Sequence, residues 1–131
     1  MAELIQQVTE GVSVTVETFY QSAQSNPLAS EYLFAYRITI ENMSSMPVKL
    51  LTRHWEIIDS NGSYREVEGP GVVGKQPIIE PAGSYQYVSA CNLRSEMGKM
   101  QGHYVMENLY NKKLITVRIP EFQMTAPFKM N

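Results

Sequence analysis

Apolar residues recur at every second position in nearly every stretch of this chain long enough to show a period, and that excludes most folds at once. Between Tyr32 and Asn42, one face carries Tyr32, Phe34, Tyr36, Ile38 and Ile40, and the other carries Arg37, Thr39 and Glu41. A helix needs recurrence at three and four; alternation is the mark of a strand with one wet side. Val12, Val14 and Val16 likewise oppose Ser13, Thr15 and Glu17. Residues 49–59 read as a third strand whose alternation slips near His54, which predicts a bulge there. Ser60-Asn61-Gly62 predicts a hairpin with a two-residue turn, since Asn-Gly accepts positive φ, and it leads into a strand at 64–68. Ile78 and Ile79 precede a turn at 80–83. Tyr85, Tyr87, Ser89 and Cys91 then alternate with Gln86, Val88, Ala90 and Asn92. Strands at 103–107 and 112–119 flank a turn at 108–111. Residues 21–31 and 93–102 hold no apolar stripe and read as polar connections.

Seven or more short strands with frequent turn signals predict an all-β, antiparallel sandwich or barrel. A lone Trp55 without a cysteine pair suits a fibronectin type III core better than an antibody-type immunoglobulin core. The length of 131 residues fits a single domain over 1–131. A formal net charge of −2 supplies no positive footprint for nucleic acid or an anionic membrane. The single cysteine, Cys91, cannot form an internal disulfide, and 1–7 carry no apolar leader. A cytoplasmic protein is expected.

Gly69-Pro-Gly71-Val-Val-Gly74 satisfies the pattern G-x-G-x-x-G. The dinucleotide fingerprint requires a helix to begin there and aim its N-terminus at a pyrophosphate. Pro77 and Pro81 with Ile78 and Ile79 between them forbid that helix. The glycines are expected to shape a loop between strands, taking positive φ or packing closely, with Val72 and Val73 plugging the end of the sandwich. The sharper alternative is a nest of backbone amides that takes a phosphate. Its residues would be Gly69, Gly71, Gly74, Lys75 and Gln76, with Arg53 and Arg65 nearby.

The ordered landmarks from Arg53-His-Trp55 through Asp59 and Gly62, then Val67 to Pro77, then Pro81, Tyr87 and Ser89, resemble the ApaG family. The likeness continues in Gly98-Lys-Met100-Gln-Gly102-His-Tyr104 and closes on Ile119-Pro-Glu-Phe-Gln-Met124. It spans about residues 12–128, taken as the core of the single ApaG domain. Ala82-Gly83 and Ala90 depart from the usual family residues in the turn and strand after the glycine loop. The resemblance implies a fibronectin type III-like sandwich. It also implies a family, called CorD in some bacteria, linked genetically to cobalt tolerance and magnesium efflux. Related eukaryotic domains serve as interaction modules. The resemblance brings no catalytic residues.

His54, His103, Glu56, Asp59, Glu66 and Glu68 are the candidate metal ligands. The two histidines stand far apart in sequence, and Glu66 and Glu68, which share a strand face, could make only a weak hard-cation site, so no specific metal site is expected. Nothing couples Ser89 or Cys91 to either histidine as nucleophile and base. No cofactor is called for. The chain thus reads as a non-enzymatic binding module with a protein partner that the sequence does not identify. The alternative is a weak binder of pyrophosphate or a nucleotide phosphate at the glycine loop, and a hydrolase built on such a site ranks last. An exposed sheet edge also admits a homodimer.

Overall fold

The computed structural model of the chain describes residues 4–127; the ends of the 1–131 span, and residue 128 of the 12–128 core, lie outside them. The strands are β1 (Leu4–Thr9), β2 (Val12–Tyr20), β3 (Tyr32–Asn42), β4 (Val48–Asp59), β5 (Tyr64–Pro70), β6 (Ile78–Ile79), β7 (Ser84–Leu93), β8 (Met97–Asn108) and β9 (Leu114–Thr125). One sheet runs β1-β2-β3-β7. The other runs β5-β4-β8-β9, with the short β6 also on β4. Every pairing is antiparallel. The sheets pack face to face, and their inward residues form one core. This is the expected all-β sandwich of fibronectin type III/immunoglobulin-like form. Trp55 lies at its centre, 3% exposed, edge-on to Tyr36 at 5.5 Å and to Phe122 at 5.9 Å.

Several local expectations are corrected. The bulge in β4 falls between Leu50 and Thr52, not at His54. Leu50 and Trp55 both face the core although an odd number of positions separates them, so one residue between them must leave the ladder. That slip turns Arg53 inward and His54 outward. The β4–β5 hairpin has three loop residues rather than two. Asp59 N donates to Ser63 O and Gly62 N to Asp59 O, both at 2.9 Å, and only Gly62 of the three takes positive φ, at +95°. Residues 97–102 are strand, not connection, because the glycines there mark close approach between backbones. A Cβ on Gly102 would occupy the space of the His54 carbonyl in the neighbouring strand. β9 continues past residue 119 through Pro120 to Thr125. The register shift between Met100 and Gly102 places Pro120 at a bulge, where its missing N–H breaks no ladder bond. Residues 21–31 hold two 3-10 turns, Ser22–Gln24 and Pro27–Ala29. The strand β1 was not anticipated. Its residues do not alternate, and pairing to β2 forms it.

The two flanks of the sandwich differ. On one, β1 meets β9, and Arg118 N donates to Thr9 Oγ1 at 3.2 Å. On the other, the edges β5 and β7 belong to separate sheets and face one another across a cleft.

Three tyrosines are buried beneath that second flank: Tyr36, Tyr87 and Tyr104. The Tyr87 and Tyr104 hydroxyls share a hydrogen bond at 2.5 Å. Burial is the leading cause that pushes all three ionisations above the ordinary tyrosine value. Unfolded tyrosines lose their protons near about pH 10, whereas these stay neutral in the fold. The folded state therefore binds more protons above that pH, and stability, full below it, falls as pH rises further. In an ultraviolet absorbance titration, part of the tyrosine signal should appear only as the chain unfolds in alkali. Ionisation of all eight tyrosines with native circular dichroism intact would contradict this burial.

Candidate functional site

The open flank is shaped by two edge strands whose outer hydrogen-bonding groups have no strand partner. In β7 the residues paired with β3 alternate with residues directed away from it. Gln86, Val88, Ala90 and Asn92 belong to the second set, as the Asn92 carbonyl shows by accepting from Arg65 of β5. None of the residues of β7, Ser-Tyr-Gln-Tyr-Val-Ser-Ala-Cys-Asn-Leu, is charged. Edge strands are usually guarded by charge, proline or a bulge.

Between the edges lies a cleft of about 400 Å³. Its floor includes Trp55, Tyr36, Tyr87 and Met100. Val67, Val73 and Val88, from β5, the glycine loop and β7, line it while remaining 39%, 63% and 58% exposed. Val67, register partner of Trp55, and Val73 give the cleft an apolar rim, whereas Val88 borders it through its backbone and carries its side chain on the outer face beside Arg37. Val73 is also held at φ +48°, a region that β-branched residues avoid. With Gly74 at φ +76° it forms the tip of a tight turn closed by Val72 N to Lys75 O at 2.8 Å and Lys75 N to Val72 O at 3.0 Å. Asn-Gly would suit such a turn better than Val-Gly.

Two arginines also line the cleft, on the inward registers of their strands. Arg53 Nη1 donates to the carbonyls of Pro70 and Gly71 at 3.1 and 3.0 Å. Arg65 Nη2 donates to the Asn92 carbonyl and lies 3.4 Å from Cys91 Sγ. Among the described residues, neither guanidinium has a carboxylate partner. Burial raises the Cys91 thiol ionisation, outweighing the opposing pull of Arg65. The thiol is thus a small buried group, not a thiolate. Beyond the Arg65–Asn92 contact the flank continues into a second depression of about 430 Å³, lined in part by Glu31, Ser63 and Arg94.

The glycine loop forms one end of this cleft. Gly69 packs against the Arg53 guanidinium, and Gly71 and Gly74 take positive φ, at +62° and +76°. Gly71 N donates to Leu51 O at 2.8 Å, and Gln76 Nε2 to the same carbonyl at 2.9 Å. The amides of Gly71, Val72 and Lys75 are therefore already engaged, the first by β4 and the other two within the loop, which weakens the case for a phosphate nest there. Val72 is fully buried and plugs the sandwich; Val73 points out, contrary to expectation. Lys75 is exposed.

The metal candidates are arranged differently from their sequence separation. His54 and His103 are register partners on β4 and β8, their rings stacked at 5.1 Å and 17°. Glu66 and Glu68 approach His54 at 3.5 and 3.7 Å. The Tyr64 hydroxyl donates to Glu66 at 2.7 Å and Glu56 at 2.9 Å, which raises its ionisation. Asp59 lies elsewhere, accepting from Arg94 N at 2.6 Å and from Ser95 Oγ. The histidines do converge, because pairing of β4 with β8 erases their distance along the chain. Even so, no group of three or more His, Cys, Asp or Glu among the described residues is arranged to hold a metal ion. His54 also stands on the face opposite Trp55, away from Ser89 and Cys91.

The structure adds Val67, Val73 and Val88 to the residues read from sequence, and turns Arg53 from a neighbour of the loop into the floor of a cleft. The uncharged run of β7 was the one signal that could have found this flank. Arg53 became assignable only once the bulge was placed.

A fibronectin type III-like sandwich, closed on one flank and open on the other, is the class of domain defined here. The ApaG domain model matches residues 22–108, and the chain belongs to the ApaG family. It is 46% identical over 120 residues to Protein ApaG of Brucella abortus, covering 92% of each chain. Protein ApaG of Sinorhizobium fredii is 44% identical over 120 residues, with the same coverage. Among solved structures, an ApaA protein of Bordetella pertussis superposes with a TM-score of 0.86 at 36% identity, covering 90% of this chain and 95% of that one. The structural-genomics target SoR45 gives 0.83 at 41% identity, covering 89% and 88%. The names of these relatives carry no enzymatic activity. No helix among the described residues is long and apolar enough to cross a membrane.

Proposed function

We propose that the protein is a non-enzymatic interaction module, cytoplasmic, that engages a protein partner through the open flank between β5 and β7. The observation that carries this reading is the uncharged, unpaired edge of β7 with exposed valines on both sides of it, Val67 and Val73 at the cleft and Val88 on the outer face. Loops and edges on a rigid sandwich are where recognition is usually placed. The strained Val73 supports the same reading, since strain persists at sites where another property is selected. On this view any link to cobalt tolerance or magnesium efflux, as the family resemblance implies, runs through the partner rather than through a metal bound here.

The test uses two variants in affinity capture from native cytosol. Val88→Lys places a charge on the edge. Val73→Asn puts a favoured residue at the turn, and should raise stability by about 0.5–1 kcal/mol. Both should fold and lose the protein captured by the parent. Capture unchanged in both variants would exclude this flank. A variant that is more stable yet no longer engages its partner separates recognition from folding.

A further inference from the structure

We infer that the open flank takes an extended acidic peptide segment, added as a strand along β7 with its carboxylates received by Arg53 and Arg65. This rests on the flank being the partner-binding face, and it names what binds there.

The first argument is the backbone. Gln86, Val88 and Ala90 direct their N–H and C=O groups away from β3, toward the cleft side. An extended segment satisfies such groups by adding a strand, while its alternate side chains enter flanking pockets. The stretch from Tyr85 to Asn92 would accommodate about six residues at the ordinary strand rise.

The second argument is charge. Inward positions of a sandwich normally hold apolar side chains, yet two here are arginines whose hydrogen bonds among the described residues reach only carbonyl oxygens and a thiol. A guanidinium offers five donors in a planar fork suited to a carboxylate. The neutral Asn92 carbonyl now accepting from Arg65 is a weaker acceptor than an ionised carboxylate. Exchange of one for the other favours an anionic segment. The side chains that alternate with the acids fall on the outer face of the extended sheet, beside the exposed Val88, where apolar residues suit them.

The same observations rank the competing occupants. A second copy pairing β7 to β7 supplies no acid to either arginine, because β7 has none. A free phosphate satisfies the arginines but leaves the edge and the valines unused.

The experiment titrates the full chain, followed by amide chemical shifts, with the peptide acetyl-Thr-Glu-Val-Glu-Val-Glu-Thr-amide. The same peptide with lysine in place of glutamate, and inorganic pyrophosphate, are run in parallel. The acidic peptide should shift Gln86, Val88 and Ala90 and slow their hydrogen exchange. It should bind at least about tenfold more tightly than the lysine peptide, a gap that narrows with added salt. Val88→Pro removes only an outward N–H and should abolish binding while β3 pairing persists. Arg65→Gln should remove the preference for acid, and the peptide charge swap reads that preference even if this variant folds poorly. Equal binding of both peptides, no binding of either, pyrophosphate as the tighter ligand, or concentration-dependent β7 self-pairing that the peptide leaves unchanged would each overturn the inference. If capture from cytosol still depends on Val73 and Val88 in that case, the flank remains the partner face and only the acidic-strand assignment fails. If capture is independent of them, both fail.

Discussion

Gly71→Ala is expected to destabilise the fold by about 2–4 kcal/mol, read as a lowered urea midpoint at unchanged slope. Its φ of +62° is unfavourable for any side chain, and its Cβ would occupy the space of the Lys75 carbonyl. That carbonyl accepts the Val72 N–H that closes the turn, so relief of the overlap opens the loop and loosens the buried Val72. Gly74→Ala meets open space at φ +76° and should lose only the conformational part, about 1–2 kcal/mol. Lys75→Ala, at an exposed position, should stay within about half a kcal/mol of the parent. A phosphate cradle makes the opposite pattern: Lys75→Ala would lose pyrophosphate binding with stability intact. The parent should bind pyrophosphate no more tightly than the millimolar range. Sub-micromolar binding abolished in Lys75→Ala would overturn the structural reading of the loop.

Asn42→Ala should destabilise by a similar amount, about 2–4 kcal/mol, although it removes little apolar surface. Asn42 is fully buried, and its amide group is saturated on both sides. Nδ2 donates to Met46 O at 2.8 Å and Ile79 O at 2.9 Å. Oδ1 accepts from Ser44 N at 3.0 Å and Ser44 Oγ at 2.6 Å. One side chain thus holds the end of β3, the loop that follows it and the short β6. Truncation removes a donor from the Ile79 and Met46 carbonyls and the acceptor of the Ser44 amide; Met46 O keeps the Ser44 hydroxyl at 3.0 Å, so the buried Ile79 contact carries most of the loss. Asn42→Asp should be at least as damaging, because an ionised carboxylate cannot donate to those carbonyls. Urea unfolding of both variants checks this, and a loss below about 1 kcal/mol in each would show that the network does not hold the loop.

How far the fold was legible follows from where alternation is clean. β3 and β7 have one face buried and one wetter, and the inward sets read for β2, β3 and β7 match the structure; on β2 the opposite face is partly covered as well, with Ser13 fully buried beneath Gln6 of β1. Trp55 was legible as core for the same reason. The bulge was misplaced because Thr52, Arg53 and His54 are all polar, so periodicity does not say which turns inward. Glycine was the other source of error. In Gly98 and Gly102 it marks strands in close approach, yet from sequence it looks like a turn. At the site, the loop that carries Gly71 and Gly74 was legible as a positive-φ feature. The flank it borders was not, because Arg53, Val67 and Val88 come from three strands whose neighbourhood exists only after the sheets pack. The convergence of His54 and His103 is illegible for the same reason, since cross-strand register has no signature in chain distance.

The uncharged edge of β7 has one more consequence, for how this protein is kept in solution. A ten-residue strand without a single charge is a template for indefinite strand addition by other chains as well as by a proper partner. If a partner strand covers β7, as proposed, solubility becomes a property of the complex rather than of the chain alone, and the supply of that partner would limit how much of the protein stays dispersed. Overproduced alone, it should cloud or oligomerise as its concentration climbs. Co-production with a segment that caps β7 should clear it.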